Sequence, residues 1–451
     1  MQQTTPITLK KLYIKTYGCQ MNVYDSNKML DILRILGYEQ TEEMNDADMI
    51  ILNTCHIREK AAERVYSELG RIRELKEERR AIGKEMLITV AGCVSQAEGD
   101  EIFIRAPYVD IVVGPQTYHN LPELITKVSR KQDIVLNLDF PIISKFDSLP
   151  ESTDVKGYSA FITIQEGCDK FCKFCCVPYT RGAEYSRNLN ELYREALNLV
   201  SHGALEITLL GQNVSAYHGL DHDGKEISIA GLIEHLAKIP NLLRIRYTTS
   251  HPNDMLEDLA LLHKTESKLM PALHLPVQTG SDKVLKEMNR KHTAAEYLDL
   301  IALYRKNCPD MQFSSDFIVG YPGETEQDFE DTLDLIRKVN FYQAYSFKYS
   351  KRPGTPAAAM ENQVPENIKI DRLVRIQGLL TEQQNEANQA SVGKIFSVMF
   401  ERSGKHPGQI LGKNEYAQPV CAIGPEEYIG KIMKVKILKV VGTTLSGELL
   451  N

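Results

Sequence analysis

The stretch Gly167-Cys168-Asp169-Lys170-Phe171-Cys172-Lys173-Phe174-Cys175-Cys176 holds four of the nine cysteines of the chain within ten residues. Inside it, Cys168, Cys172 and Cys175 follow a C-x3-C-x2-C spacing. The residues between them are too few to form anything but a turn. Three thiolates on one short loop suit a soft metal ion or an iron-sulfur cluster. A 4Fe-4S cluster held by three cysteines has one iron without a protein ligand, and chemistry can take place at that iron.

Two other interpretations of these cysteines, a disulfide and a zinc site, have less support from the sequence. A disulfide between two of the three would leave the third thiol reactive, and nothing nearby indicates a secreted scaffold. Zinc requires a fourth nitrogen or sulfur ligand, and the loop contains no histidine. Cys176 could supply that ligand, but adjacent side chains point apart, so we expect Cys176 to be structural.

The length and composition indicate a soluble protein of several domains. A chain of 451 residues corresponds to roughly three domains. Its 43% hydrophobic and 25% charged content is ordinary for a globular protein. The first 11 residues lack the apolar core of a signal peptide, and no run of about 18 apolar residues occurs. We therefore expect a cytoplasmic protein with no membrane segment, in a compartment where cysteines stay reduced.

The first predicted domain, residues 10–126, alternates strands and helices. Apolar runs favour strands at residues 11–17, 47–52, 86–90 and 109–113, with helical periodicity at 25–36 and 59–75 between them. Strands that alternate with helices are typical of a parallel α/β sheet.

Three cysteines, Cys19, Cys55 and Cys93, each follow one of the first three strands. In a parallel sheet these strand ends open on the same edge, where ligands gather. A single free cysteine is more often a small buried apolar residue. Three cysteines in the same topological position favour a second three-cysteine cluster.

The second predicted domain, residues 154–387, follows a linker at 131–157. It contains six strand and helix repeats, with strands at residues 159–165, 205–210, 243–247, 272–275, 312–319 and 344–349. Six such units indicate a partial, open (β/α)6 barrel. Polar residues accumulate just after the strand ends, where barrels of this kind carry their active sites. These loops are expected to share one cavity with the cysteine loop.

The third predicted domain, residues 388–451, consists of short strands at 395–401, 409–411, 419–423, 431–441 and 445–449. Five short strands suggest a small β-barrel, a shape often used to bind oligonucleotides but also used as a structural cap. The net charge of the whole chain is −7, yet residues 391–451 contain eight Lys or Arg and five Glu. The charge suits either an RNA-docking module or a solvated lysine-rich surface.

The cysteine loop at the mouth of an incomplete barrel resembles the radical S-adenosylmethionine enzymes. With the flanking domains, the chain resembles the methylthiotransferase family, whose C-terminal barrel is a TRAM domain. Seven short motifs resemble the branch that modifies N6-isopentenyl(dimethylallyl)adenosine in tRNA: YGCQMN at 17–22, NTC at 53–55, VPYTRG at 177–182, TTSHP at 248–252, HLPVQ at 274–278, MNRK at 288–291 and FKYS at 347–350.

This resemblance implies an enzyme with two 4Fe-4S clusters. Cys168, Cys172 and Cys175 would hold the cluster that cleaves S-adenosylmethionine. An auxiliary cluster that carries the sulfur would be held by Cys19, Cys55 and Cys93. One S-adenosylmethionine would supply the methyl group and another the radical that removes hydrogen from C2 of the modified adenosine next to the anticodon. A radical is needed because no acid or base in a protein can activate this aromatic C–H bond.

The resemblance also implies the remaining cofactor and partners. S-adenosylmethionine would lie in the cavity of the barrel, and the polar residues after the strand ends are the candidates to bind it: Gln212, Asn213, His251, Gln278 and Ser281. Many radical enzymes have a Gly-Gly-Glu turn where this chain has Gly211-Gln212-Asn213. The expected partners are a tRNA anticodon stem-loop, an electron donor and a sulfur source, and we expect a monomer.

Two alternatives stay open at this point. A sibling methylthiotransferase acting on threonylcarbamoyladenosine in tRNA or on a ribosomal protein aspartate would share the cluster chemistry, and only the seven motifs argue against it. A zinc-bearing RNA-binding protein without enzymatic activity is a different class of function, and metal analysis separates it from the enzymes.

Overall fold

The computed structural model describes residues 9–56, 61–130, 134–141, 144–150, 155 and 157–450. The chain forms two compact units. The first unit comprises Met1–Thr153 and Cys176–Glu184, and the second comprises Asp154–Cys175 and Tyr185–Asn451. The chain therefore leaves the second unit directly after the last cysteine of the C-x3-C-x2-C loop.

The first unit is built on a six-stranded parallel sheet. Its strands are β1 (Lys10–Thr16), β2 (Tyr38–Gln40), β3 (Met49–Thr54), β4 (Leu87–Gly92), β5 (Ile111–Val113) and β6 (Val135–Asn137), in the order β2-β1-β3-β4-β5-β6. Its helices are α1 (Gln20–Arg34), α2 (Ala61–Ala81), α3 (Cys93–Glu98), α4 (Glu101–Arg105), α5 (Leu121–Ser129) and α6 (Val177–Arg181).

Strand β3 shows why this sequence forms a central strand. All six of its residues are buried. Met49 and Ile51 pack into one core with residues of α1, and Ile50 and Leu52 pack into a second core with residues of α2. A strand covered by helices on both faces needs a continuous apolar run. The predicted parallel α/β architecture is confirmed.

Two strands of this sheet were not predicted. β2 and β6 have three residues each and form the two edges of the sheet. Three residues are too few to display a period of two, which explains why the pattern missed them. β6 lies inside the segment predicted to be a linker, and Lys145 and Phe146 later in that segment are buried. The linker prediction was therefore wrong for these residues, and the first unit extends beyond residue 126.

The second unit contains six parallel strands followed by helices. The strands are β7 (Ser159–Thr163), β10 (Glu206–Leu210), β11 (Arg244–Tyr247), β12 (Ala272–His274), β13 (Gln312–Val319) and β14 (Gln343–Lys348), and a short hairpin adds β8 (Gln165–Glu166) and β9 (Tyr185–Ser186). The helices are α7 (Leu189–Ser201), α8 (Ile229–Leu236), α9 (Glu257–Thr265), α10 (Asp282–Glu287), α11 (Ala294–Asn307), α12 (Glu326–Val339) and α13 (Glu366–Gln389).

The six strands form two three-stranded parallel sheets, ordered β11-β10-β7 and β12-β13-β14. An isolated parallel bridge between Ile245 and Leu269 links β11 to the chain just before β12. This arrangement agrees with the predicted partial (β/α)6 barrel.

The second unit ends in a closed β-barrel. Its strands are β15 (Ile395–Ser403), β16 (Gln409–Lys413), β17 (Pro419–Ile423), β18 (Ile432–Val441) and β19 (Thr444–Leu449), in the order β15-β16-β17-β19-β18. The buried Arg244 guanidinium joins it to the (β/α)6 barrel by donating to the carbonyls of Ser397 (2.6 Å) and Lys413 (3.0 Å). Arg244 is the first residue of β11, so this contact lies at the opposite end of that strand from the candidate site.

Candidate metal centres

The C-x3-C-x2-C loop begins directly after β8 and is fixed by two glutamines. The Gly167 amide donates to Oε1 of Gln212 at 2.6 Å. In return, Oε1 of Gln165 accepts from the amides of Gln212 (2.9 Å) and Asn213 (3.1 Å). These reciprocal bonds lock the start of the cysteine loop to the end of β10.

An ion pair ties the middle of the loop to the next strand ends. Nζ of Lys170 lies 2.6 Å from Oδ1 of Asp254, whose Oδ2 accepts from Nδ2 of Asn213 at 2.7 Å. Oδ1 of Asn213 accepts from the amide of His251 at 3.0 Å. Asn213 thus connects the loops that follow β10 and β11 to the cysteine loop.

Asn289 holds the loop from another side. Its Nδ2 donates to the carbonyls of Lys170 (3.2 Å) and Phe171 (3.0 Å), and the amide of Lys173 donates to the carbonyl of Met288 at 3.0 Å. Phe171 and Asn289 both have left-handed backbones, with φ of 47° and 62°. Such a conformation is unfavourable for phenylalanine, so these bonds hold the loop in a strained shape.

Two buried histidines lie beside this network. Burial lowers the pKa of His251 to about 2, assisted by the positive charge of Arg290. Burial likewise lowers the pKa of His292 to about 3, and the two rings meet edge to face at 5.9 Å between centroids. Both histidines are therefore neutral at physiological pH. Neither ring nitrogen of His292 has a hydrogen-bond partner among the residues described, which is rare for a buried polar group.

The structure separates the five candidate cofactor-binding residues into two sets. Gln212, Asn213 and His251 belong to the network around the cysteine loop. The backbone of Gln278 bridges to β13, through bonds to Asp316 and Ile318. The Ser281 hydroxyl caps α10 and donates to Asp328 at 2.7 Å. A cofactor role for any of the five stays a prediction.

The first unit brings Cys19, Cys55 and Cys93 to one edge of its sheet. Cys19 caps the amino end of α1 after β1, Cys55 follows β3, and Cys93 starts α3 after β4. These three strands are neighbours in the sheet. Gly18 has a φ of +98°, and a Cβ there would lie 2.6 Å from Sγ of Cys55, so only glycine fits.

Asn22 joins the loops that carry two of these cysteines. Its buried Nδ2 donates to the carbonyls of Tyr17 (2.8 Å) and Thr54 (2.9 Å). Tyr17 directly follows β1, and Thr54 is the last residue of β3. Its Oδ1 lies 3.8 Å from Sγ of Cys19 and accepts from Nη2 of Arg181 at 3.1 Å.

The thiols of this group lie in a charged environment. The hydrogen bond from Cys55 lowers the pKa of Cys19 to about 6, against the effect of burial, and Arg181 acts in the same direction. Burial raises the pKa of Cys93, whereas the positive charge of the Arg181 guanidinium opposes that rise. Arg181 also forms a 2.8 Å ion pair with Asp25, to which Lys145 is paired at 3.4 Å.

The donor chemistry of both cysteine groups fits an iron-sulfur cluster. Each group supplies three thiols, none of the nine cysteines forms a disulfide, and cysteine thiolates are the usual ligands of such clusters. Within the described part of the chain, no three His, Cys, Asp or Glu side chains already stand at metal-ligand spacing. The clusters themselves are therefore proposals.

Sequence reasoning missed several polar residues of these sites. Asn22, Arg181 and Arg290 lie in the motifs YGCQMN, VPYTRG and MNRK, but the motifs assign them no role of their own. His292 and Asp254 lie outside the seven motifs. A motif match is the sole signal for the first three and nothing local marks the other two, because each of these side chains acts through partners that are distant in sequence.

Three family models match the chain. UPF0004, an uncharacterized protein family, matches residues 11–114, the radical SAM superfamily matches 162–336 and the TRAM domain matches 389–450. The tRNA-2-methylthio-N(6)-dimethylallyladenosine synthase of Rickettsia felis is 61% identical over 98% of this chain and 100% of its own length. The protein of the same name from Rickettsia canadensis is 60% identical over 98% of this chain and 99% of its own.

The chain belongs to the tRNA-2-methylthio-N(6)-dimethylallyladenosine synthase family. This confirms the predicted resemblance to the methylthiotransferases and disfavours the sibling branches. Membership of this synthase family and of the radical SAM superfamily implies S-adenosylmethionine and a 4Fe-4S cluster as cofactors.

Solved structures support the fold of this synthase family member. The radical S-adenosylmethionine methyltransferase TsrM from Kitasatospora setae superposes with a TM-score of 0.56 over 78% of this chain and 74% of its own, at 13% identity. The cobalamin-dependent radical enzyme OxsB gives 0.54 over 83% of this chain at 12% identity, and the chain spans 56% of its length. No helix in the described ranges is long and apolar enough to cross a membrane.

Proposed function

We propose that this chain is a tRNA methylthiotransferase that adds a 2-methylthio group at C2 of N6-dimethylallyladenosine next to the anticodon. The observation that carries the proposal is the 61% identity to a synthase of that name along its whole length. The two groups of three cysteines fit the two centres that such a reaction needs, one to generate a radical and one to carry sulfur.

The loop after β8 would hold the radical-generating cluster through Cys168, Cys172 and Cys175. When bound, this cluster and S-adenosylmethionine supply the radical that an unreactive aromatic C–H bond requires. The chain's own residues position the loop. Gln165 and Gln212 fix its start, the Lys170 to Asp254 ion pair fixes its middle, and Asn289 fixes its strained turn. The neutral His251 and His292 add no positive charge to the site.

The edge of the first unit's sheet would hold an auxiliary cluster through Cys19, Cys55 and Cys93. Gly18 allows the loop after β1 to approach Cys55, and Asn22 ties the two loops together. The match to the radical SAM superfamily implies one cluster, and we propose the second from the resemblance to the methylthiotransferases together with the position of the three thiols.

The TRAM domain is proposed to contact the tRNA. Residues 391–451 carry eight basic and five acidic residues, whereas the chain as a whole has a net charge of −7. Lys434, Lys436 and Lys439 of β18 are exposed. Exposed lysines can bind the phosphates of RNA, and the affinity from such contacts falls as the salt concentration rises.

A reconstitution assay tests the proposal. Anaerobically reconstituted protein is expected to contain about eight iron and eight sulfide per chain. With S-adenosylmethionine, a reductant and tRNA bearing N6-dimethylallyladenosine, it should form the 2-methylthio nucleoside, detected by mass spectrometry after digestion. Activity only on tRNA bearing threonylcarbamoyladenosine, or only on a ribosomal protein, would assign the chain to a sibling. Stoichiometric zinc without iron would contradict all of these enzymes.

A further inference from the structure

Arg181 is buried at the thiol edge of the first unit, with 3% of its surface exposed. It ends helix α6, and Gly182 after it has a left-handed backbone with φ of 81° that terminates the helix. The side chain of Gln116 donates to the Arg181 carbonyl at 2.7 Å, which fixes the backbone there. Arg181 is thus held at both its backbone and its side chain.

The guanidinium is oriented by two acceptors. Nη2 donates to Oδ2 of Asp25 at 2.8 Å and to Oδ1 of Asn22 at 3.1 Å. Asn22 is itself fixed by the carbonyls of Tyr17 and Thr54, which flank the cysteine loops. An arginine is the side chain best able to bridge several acceptors in fixed directions. The geometry of the guanidinium is therefore set before any ligand binds.

The same guanidinium lies one side chain away from a thiol. It donates to Oδ1 of Asn22 at 3.1 Å, and that oxygen lies 3.8 Å from Sγ of Cys19. Its positive charge lowers the pKa of Cys19 and opposes the rise in the pKa of Cys93. Lys145, which is also buried, adds a second cation that meets the same Asp25 carboxylate at 3.4 Å. The described bonds bring two cations and one carboxylate to this edge of the sheet.

We propose that Arg181 is a positioning residue that tunes the auxiliary cluster by holding a fixed positive charge beside the thiols of Cys19, Cys55 and Cys93. This inference rests on the proposed auxiliary cluster. Hydrogen bonds to cluster sulfurs and local net charge set the reduction potential of iron-sulfur centres. A nearby cation stabilises the reduced form, which carries one more negative charge. Arg181 therefore raises the potential, and Asp25, as an anion at the same place, lowers it.

The test uses full-length protein in which Cys168, Cys172 and Cys175 are replaced by Ala, so that only the auxiliary cluster assembles. Its potential is measured by a redox titration followed by electron paramagnetic resonance. Arg181→Gln is expected to shift the one-electron equilibrium against reduction by tenfold or more, which corresponds to about 59 mV or more. Asp25→Asn is expected to raise the potential. A purely structural role would not produce shifts of opposite sign.

Arg79→Gln is the matched control. Arg79 is a buried arginine of the same unit, paired with Asp48 at 2.7 Å, and Asp48 directly precedes β3 whereas Cys55 follows it. Its substitution should leave the potential unchanged. An Arg181→Gln potential equal to that of the Arg79→Gln protein would overturn the inference.

Failure to assemble a cluster has a different meaning in each protein. If the Arg181→Gln protein binds no iron, the Asp25→Asn protein provides the test. A raised potential in the Asp25→Asn protein supports the inference, and an unchanged or lowered potential contradicts it. If the protein with wild-type Arg181 and intact Cys19, Cys55 and Cys93 assembles no cluster, the auxiliary-cluster proposal itself is wrong. The two failures are therefore distinguishable.

Discussion

Lys170 in the cysteine loop and Asp254 in the turn after β11 form a 2.6 Å ion pair, with 30% and 18% of their side chains exposed. Asp254 also accepts from Asn213 at 2.7 Å. One carboxylate therefore links the cysteine loop to the loops that follow β10 and β11.

Replacing Asp254 with Ala should slow the cleavage of S-adenosylmethionine. The substitution removes the anchor of Lys170 and leaves Asn213 without its acceptor, so the loop loses its fixed position. We expect about a tenfold lower rate of 5′-deoxyadenosine formation, equivalent to about 1.4 kcal/mol. Asp334→Ala is the control, because it removes an exposed 2.7 Å pair with Arg337. Equal rates in both variants would show that the pair does not position the loop.

Gly18→Ala should remove the auxiliary cluster while sparing the radical-generating one. A Cβ at residue 18 would lie 2.1 Å from Cβ of Cys55, in a backbone with φ of +98°. The loop or Cys55 must then move, and the three thiols no longer converge. Iron content is expected to fall by about half, with loss of methylthiolation and retention of 5′-deoxyadenosine formation.

Gly83→Ala is the control for Gly18→Ala, because it introduces backbone strain without a steric clash. Gly83 also has a positive φ of 72°, but nothing lies within 4 Å of a Cβ placed there. It should retain full iron content and activity. Full iron content in Gly18→Ala as well would refute the close approach of Gly18 and Cys55 as a requirement for the cluster.

Replacing Lys434, Lys436 and Lys439 with Gln should weaken tRNA binding. These exposed side chains lie on β18 of the TRAM domain. If each neutralises one phosphate, the salt dependence of log K should become shallower by about three units. Binding is measured by filter retention over a range of salt concentrations. Substituting three exposed helix lysines, Lys264, Lys306 and Lys338, should change the slope little. The reverse pattern would place the RNA surface on the (β/α)6 barrel.

Point substitutions serve better here than removal of the TRAM domain. Arg244 is 2% exposed, and its guanidinium donates to carbonyls of Ser397 and Lys413. Deleting residues 391–451 would remove the acceptors of a buried cation and destabilise the (β/α)6 barrel. A binding defect in that truncated protein would not identify the RNA-binding surface.

The buried His263 should make the folded protein less stable in mild acid. Burial lowers its pKa from 6.5 to about 3, and its Nε2 lies 2.8 Å from the Tyr247 hydroxyl. The unfolded chain gains a proton below about pH 6.5 whereas the folded protein does not, so stability is present above that pH and is lost as the pH falls. His263 should account for about 1 kcal/mol of the loss between about pH 7 and about pH 5.5.

Urea unfolding at the two pH values measures this effect. His263→Gln should be less stable at pH 7 but should lose less stability on acidification, by that amount. Substituting the exposed His222 should leave the pH dependence unchanged. A His263→Gln protein with the wild-type pH dependence would show that this histidine is protonated in the folded state.

The sequence predicted the parts of the fold that are encoded locally. The spacing of Cys168, Cys172 and Cys175 marks the loop, and the apolar runs of β3 and β4 mark the central strands. Cys19, Cys55 and Cys93 could be grouped because parallel strands end on one edge. The edge strands β2 and β6 escaped detection because three residues carry too little periodicity.

The supporting residues of the sites could not be predicted from local pattern. Arg181 lies 156 positions from Asp25, and Lys170 lies 84 positions from Asp254. Asn22 reaches a carbonyl 32 positions away. Such partners meet only after the chain folds, and a single sequence offers no periodic signal for them. Ser281 shows what local pattern leaves open: its place after a strand suggests a cofactor contact, its hydroxyl caps α10, and a cofactor role for it stays a prediction.

The most direct test of the proposed function is mass spectrometry of tRNA nucleosides from cells that lack this gene. The cells are complemented with the wild-type gene or with the Cys19, Cys55 and Cys93 to Ala variant. The 2-methylthio derivative of N6-dimethylallyladenosine should be absent without the gene, while N6-dimethylallyladenosine accumulates. Only the wild-type gene should restore the derivative. An unchanged level in the deleted cells, or full restoration by the triple variant, would contradict the account.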